Sequence, residues 1–229
     1  MRIGLMLFPK LTQLDLTGPA EVFFRMPGAE VSLLWKTLDP VRADTGLTIL
    51  PTATFDQCDT LDLICVPGGP GQIELMEDRV VLDFLRRIAP GCRLVTSVCT
   101  GSLVLAAAGL LTGYRATSHW ASREQLARFG AIPVAERVVR DRNRITGGGV
   151  TSGIDFALTV ASELLGPERA QAIQLQMEYD PQPPFTSGSP ARADPAVVES
   201  VRAAMKPMLD RRLAATEAAA ARLEAEQKA

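Results

Sequence analysis

The sequence has little with which to hold a metal. It contains one histidine, His119, and four cysteines, Cys58, Cys65, Cys92 and Cys99, none of them in a Cys-x-x-Cys pair. That spacing argues against a zinc site. A long hydrophobic run is also missing. The apolar N-terminal stretch Ile3–Phe8 stops at Pro9, too short for a signal peptide or a membrane span. The expectation is a cytoplasmic chain with reduced cysteines. Charge of one sign is not in excess: 24 Lys+Arg against 26 Asp+Glu leave a net charge of −2, which gives no reason to expect nucleic acid or an anionic membrane as partner. No internal repeat is visible.

With 47% hydrophobic and 22% charged residues over 229 positions, the chain has enough apolar surface for one compact α/β domain with extra helices. Strand patterns at 2–8, 29–37, 61–66 and 93–98 alternate with helical patterns at 14–24, 78–89, 100–111, 153–165 and 167–177. The helix at 14–24 is expected to break near Gly18-Pro19. Segments 41–51, turning at Ala43–Gly46, and 134–147, turning at Asp141–Asn143, read as hairpins. This order implies a mostly parallel sheet covered on both faces, with ligands bound at the carboxyl ends of the strands. Three turns fall at such ends: Gly68–Gly71, the turn after Val98, and Gly147–Gly149. Residues 1–190 read as the catalytic domain and 191–229 as a helical extension. Asp194-Pro195 starts a helix there, with Asp as N-cap and Pro in the first turn. The alanine-rich tail from Ala214 has almost no apolar face, so it reads as a frayed solvent helix rather than a docking arm.

The turn after Val98 is the most informative feature. Leu94-Val-Thr-Ser-Val runs straight into Cys99, then into the small residues Thr100-Gly101-Ser102 and an apolar helix. A strand that turns abruptly into a helix holds its corner residue in a strained conformation at a helix N-terminus. That position favours a lowered thiol pKa and points to Cys99 as a nucleophile rather than a buried small hydrophobe. Asp15 is either a cap or loop residue or a carboxyl that exchanges protons with Cys99. The Thr100 hydroxyl and its amide, with that of Gly101, could bind substrate, water or a developing negative charge; the alternative is a capping threonine. His119, beside Trp120, is a packed residue or a base. Arg137, Arg140, Arg142 and Arg144 read as a solvated basic face. Gly68–Gly71 is not a phosphate loop, because it lacks the Gly-Lys-Ser/Thr ending and is not expected to open directly into a helix.

Taken together, Val66-Pro-Gly-Gly69, Val98-Cys-Thr-Gly101, Ala116-Thr-Ser-His-Trp120, Gly147–Asp155 and Leu14–Phe23 resemble the ThiJ/PfpI superfamily, related to the class I glutamine amidotransferases. The resemblance covers residues 2–190 and implies a flavodoxin-like three-layer sandwich with a nucleophile elbow, paired as a homodimer. Asp15 where many relatives carry glutamate, Thr100 rather than histidine after the cysteine, and Pro183-Pro-Phe185 with Gly188-Ser-Pro190 look most like the isocyanide hydratase branch. That branch converts an isocyanide and water into an N-substituted formamide without metal or organic cofactor. The resemblance implies Cys99 as nucleophile, Asp15 as proton carrier and Thr100 as a third catalytic residue. It implies Gly69, Gly148, Val150, Thr151 and His119 around the substrate. Thr100 in the place of histidine argues against a peptidase-like Cys–His–acid triad. A glyoxalase-like or redox-sensing relative would use the same cysteine. The ligand-sensing half of AraC-type regulators shares several motifs, but those chains continue into two helix-turn-helix units.

Overall fold

The structure, a computed structural model, describes residues 1–228. In chain order the elements are β1 (Arg2–Met6), α1 (Gln13–Phe23), β2 (Glu30–Trp35), β3 (Val41–Arg42), β4 (Thr48–Ile49), β5 (Ala53–Thr54), β6 (Leu63–Val66), α2 (Gln72–Leu75), α3 (Arg79–Ile88), β7 (Leu94–Val98) and α4 (Gly101–Ala107). There follow β8 (Arg115–Ala116), β9 (Ile132–Pro133), β10 (Val138–Asp141), β11 (Arg144–Gly147), α5 (Ser152–Leu165), α6 (Pro167–Gln176) and α7 (Pro195–Lys228). Residues Arg123–Phe129 form a 3₁₀ segment.

Seven strands make the central sheet in the order β10-β11-β7-β6-β1-β2-β5, parallel except for the β10–β11 hairpin. β6 and β7 are buried along their whole length, the pattern of strands covered on both faces. Helices α1 and α5 pack together on one side, and α3 and α4 on the other. This is the expected α/β, flavodoxin-like sandwich.

Four local expectations change. α1 runs unbroken through Gly18-Pro19. Pro19 has no N–H to give the Asp15 carbonyl four residues back, but it is buried tightly against α5, where a Cβ on Gly153 would meet its ring at 3.0 Å. Tertiary packing overrides the local break. The Gly68–Gly71 turn does open directly into a helix, the single turn α2, with Gly71 as its N-cap. α4 ends at Ala107, short of the expected 111. The basic hairpin is not simply solvated. Arg137, Arg140 and Arg142 pair with Asp155, Glu163 and Asp141. Arg144 is buried against Tyr114 and donates to the Leu110 carbonyl at 2.8 Å.

The largest correction is the C-terminal arm. α7 starts where expected, with the Asp194 carboxylate accepting from the Ala196 N–H at 2.8 Å. It does not fray. Arg212, Thr216, Ala219, Ala220 and Leu223 are buried on one face against α2, α4 and the 3₁₀ segment. Leu223 packs on Gly109, where a Cβ would lie 3.3 Å from its side chain. Leu223→Ala should therefore lower the unfolding free energy by about 2 kcal/mol or more, whereas Leu213→Ala, at a more exposed position, should change it by less than about 0.5 kcal/mol. Urea denaturation measures both, and a frayed arm would give two near-zero values.

Candidate active site

Cys99 sits at the corner between β7 and α4 with φ +55, the left-handed region that side chains rarely adopt. Such a residue costs roughly 1–3 kcal/mol and persists only where its surroundings over-determine it. Here its N–H donates to two carbonyls, Gly147 at 3.0 Å and Gly148 at 2.7 Å. Its C=O accepts from two hydroxyls, Ser102 at 3.1 Å and Ser118 at 3.0 Å. Two residues on, only glycine fits, because a Cβ on Gly101 would lie 2.0 Å from the Val66 carbonyl oxygen. The corner is thus clamped by β11's end, by α4 and by the 117–122 turn, and the thiol is only 5% exposed.

Asp15, in the first turn of α1, faces this thiol and is fully buried. Its Oδ2 accepts from the Gly68 N–H at 3.0 Å. Its Oδ1 makes no hydrogen bond of ordinary geometry, while the carboxyl's contact with the Cys99 thiol favours the carboxylate. Burial pushes the Asp15 carboxyl up to about 7; contact with Cys99 and the Gly68 N–H act the other way, and the Asp44 carboxylate adds to the rise.

Burial also pushes the Cys99 thiol well above its ordinary value, and the Asp15 charge adds to this. The Thr100 N–H and the Arg212 guanidinium act in the opposite direction. This corrects the expectation that the helix N-terminus alone makes Cys99 a thiolate near neutral pH. α4 is short, and desolvation outweighs it. The chemical unit is the pair: two buried acids in contact, in which the Asp15 charge raises the thiol while contact with the thiol lowers the carboxyl. The other cysteines lack such a partner. Burial holds Cys65 up to about 12 and Cys92 up to about 11, and likewise raises Cys58.

The other expected residues are placed as follows. Thr100 stands at the N-cap position of α4 without a capping side-chain bond, and its Oγ1 instead accepts from the Gly69 N–H at 3.1 Å. Gly68 is held between Thr100 and Asp15, where a Cβ would come within 2.8 Å of both. Gly148 touches Cys99 through its carbonyl. Val150 is half-buried, and the exposed Thr151 accepts from Arg137 at 3.4 Å. His119 packs over Gly149, and its Nδ1 accepts from the Ala121 N–H at 3.3 Å. Burial, with the nearby Arg212 charge, lowers it to about 4, so it is a neutral imidazole. Reading the sequence residue by residue missed the Gly68 amide, Ser118 and Arg212. Gly68 and Ser118 lie inside motifs already singled out; Arg212 lies in the arm read as solvated.

Three comparisons bear on this arrangement. The profile of the DJ-1/PfpI family matches residues 1–163. The chain is 57% identical over 223 residues to isonitrile hydratase of Pseudomonas putida, covering 97% of this chain and 98% of that protein. It is 33% identical over 187 residues to the HTH-type transcriptional regulator GbdR of Pseudomonas aeruginosa, covering 78% of this chain but 50% of that protein. Among solved structures it is similar to a ThiJ/PfpI family protein from Pseudomonas syringae, with TM-score 0.92, 44% identity, and coverage of 94% of this chain and 90% of that one.

The buried carboxyl has a signature in stability. Its proton affinity rises from 3.8 to about 7 on folding, so its contribution is fully present below the unfolded value and is lost as pH rises through about 7. The melting temperature of the wild type should therefore fall relative to Asp15→Asn between about pH 4 and pH 8 and run parallel to it above. Differential scanning fluorimetry across that range checks the sign.

Proposed function

The chain belongs to the DJ-1/PfpI family, and from that premise we propose that it is an isocyanide hydratase working through a covalent thioimidate on Cys99. The observation that carries the reading is the buried Cys99–Asp15 pair at a strained elbow. It is supported by the identity, over nearly the whole chain, to a protein named for isonitrile hydration.

The pair supplies what the reaction needs. In the tautomer with the proton on Asp15, the Cys99 thiolate adds to the terminal isocyanide carbon, forming the C–S bond. The electron pair displaced onto that carbon takes the Asp15 proton, giving R–N=CH–S–Cys99. The Asp15 carboxylate then removes a proton from water as it attacks the same carbon and passes that proton to the nitrogen. Collapse of the R–NH–CH(OH)–S adduct expels the thiolate, releases R–NH–CHO and leaves the proton on Asp15. Water has been added across the carbon–nitrogen unit and the pair restored. An acid tuned to about 7 is suited to both transfers. The Thr100 N–H faces the sulfur and favours its anionic form, and the Thr100 side chain is held by Gly69. Thr100 and the Gly148–Thr151 segment position substrate and water, with His119 and Gly69 shaping the wall. The enzyme acts as a cytoplasmic homodimer on a small isocyanide. A glyoxalase-like activity would use the same thiolate on a carbonyl carbon, so glyoxal is the comparison substrate.

Incubation with cyclohexyl isocyanide should produce the N-substituted formamide, and glyoxal should not be consumed at a comparable rate. Cys99→Ala should abolish formamide production, while Cys58→Ala, Cys65→Ala and Cys92→Ala variants that fold should retain it. Asp15→Asn should fold and lose about 10²-fold or more in kcat. Turnover by Cys99→Ala would overturn the mechanism.

Because His119 is already neutral, His119→Gln should leave no missing limb near ~6.5 in the pH–rate profile, although KM can change. A loss of rate as large as that of Cys99→Ala in a folded variant would instead favour a Cys–His hydrolase.

A further inference from the structure

Arg212 is a buried cation with no private counter-ion. It lies in the middle of α7 and is 2% exposed. Its Nε donates to Gln72 Oε1 at 3.0 Å, its Nη1 to Ser122 Oγ at 2.9 Å, and its Nη2 to the Met208 sulfur at 3.6 Å, all neutral acceptors. Among the described residues no carboxylate comes within ion-pair distance of it. The acids on the packed elements pair elsewhere, Glu74 with Arg211 and Glu217 with Arg128. A guanidinium does not deprotonate, and a buried charge without compensation is strongly unfavourable.

Its two tight contacts hold the two walls of the active site. Gln72 follows the Gly68–Gly71 turn, whose amides bind Asp15 and Thr100. Ser122 closes the turn in which its N–H donates to the His119 carbonyl at 2.9 Å, and in which Ser118 donates to Cys99. Gln72 is itself fully buried and leaves its Nε2 without a partner. Arg212 and Cys99 act on each other's charge, so the negative charge available to Arg212 is the one that the Cys99–Asp15 pair carries when it holds a single proton. The charged groups that act on Cys99 are Asp15 from α1 and Arg212 from α7, and Arg212 also acts on the neutral His119.

We propose that Arg212 is a positioning residue that supplies the counter-charge of the Cys99–Asp15 pair and biases its proton toward Asp15, so that the C-terminal helix is part of the catalytic unit. This rests on the reading of Cys99 as the nucleophile. The guanidinium acts on Cys99, while the groups acting on Asp15 are Cys99, Gly68 and Asp44. Its field therefore favours thiolate beside carboxylic acid, the tautomer that adds to the isocyanide. α7 lies beyond the 1–163 segment matched by the family profile, so this contribution is carried by a different part of the chain.

The test is the pH dependence of Cys99 alkylation by iodoacetamide, with the labelled cysteine identified by mass spectrometry. Arg212→Met should move the profile to higher pH and slow labelling at pH 7 by about tenfold or more, the effect of one pKa unit. Arg212→Lys, which keeps the charge, should restore most of the rate. Gln72→Glu gives Arg212 a carboxylate of its own with little change in shape, so it should shift the profile in the same direction even if Arg212→Met fails to fold. kcat for isocyanide hydration should fall in parallel with little change in KM. Unmoved alkylation profiles in the folded variants would overturn the proposal, as would equal losses in Arg212→Met and Arg212→Lys. Failure of wild-type Cys99 to be labelled at all would instead count against the nucleophile itself, and against this role with it.

Discussion

One backbone corner organises this molecule. Cys99 holds a left-handed conformation that an L-residue adopts only under constraint, and four hydrogen bonds from three different segments supply that constraint. Remove any segment and the residue has reason to relax toward an ordinary strand or helix. β11 must reach Gly147 and Gly148, the 117–122 turn must bring Ser118 beneath the corner, and β6 must present Val66 so closely that only glycine fits at 101. The parallel sheet is the frame that puts these strand ends at one level.

The second constraint is electrostatic. A carboxyl and a thiol are both withdrawn from water and face one another. Neither is a good anion there: burial raises both, and the Asp15 charge raises the thiol further. That burial brings the carboxyl to about 7, where it can both give and take a proton beside the thiol. A free thiolate at the same corner would be a nucleophile without an acid. A lone buried carboxyl would be an acid without a nucleophile.

Much of this was legible in the sequence because it is local. The run of Leu94–Val98 into Cys99-Thr-Gly specifies a strand, a corner and a helix within ten residues, and the alternation of apolar runs with helical periods specifies a parallel sheet. What was not legible depends on partners distant in the chain. Pro19 looks like a helix breaker until Gly153 is placed against it. The lowered thiol pKa expected from a helix terminus is a local argument, and the burial that opposes it is not. α7 looked solvent-facing because its docked stripe is Arg212, Thr216, Ala219, Ala220 and Leu223. The spacing is helical, but the stripe is made mostly of small residues and a charge, which hydropathy reads as no face at all. Small residues permit close approach to α2 and α4, and close approach is what buries Arg212.

These two constraints meet in the charge balance. If the pair at the elbow carried no net charge, a guanidinium enclosed by a glutamine, a serine and a methionine sulfur would be a costly defect, easily relieved by a neutral side chain of similar size. Arg212 opposes the desolvation that holds the pair's remaining proton on sulfur, the form that does not add to an electrophilic carbon. Each buried charge makes the other tolerable. The helix that delivers the cation therefore contributes to the chemistry at Cys99 without touching the reacting atoms.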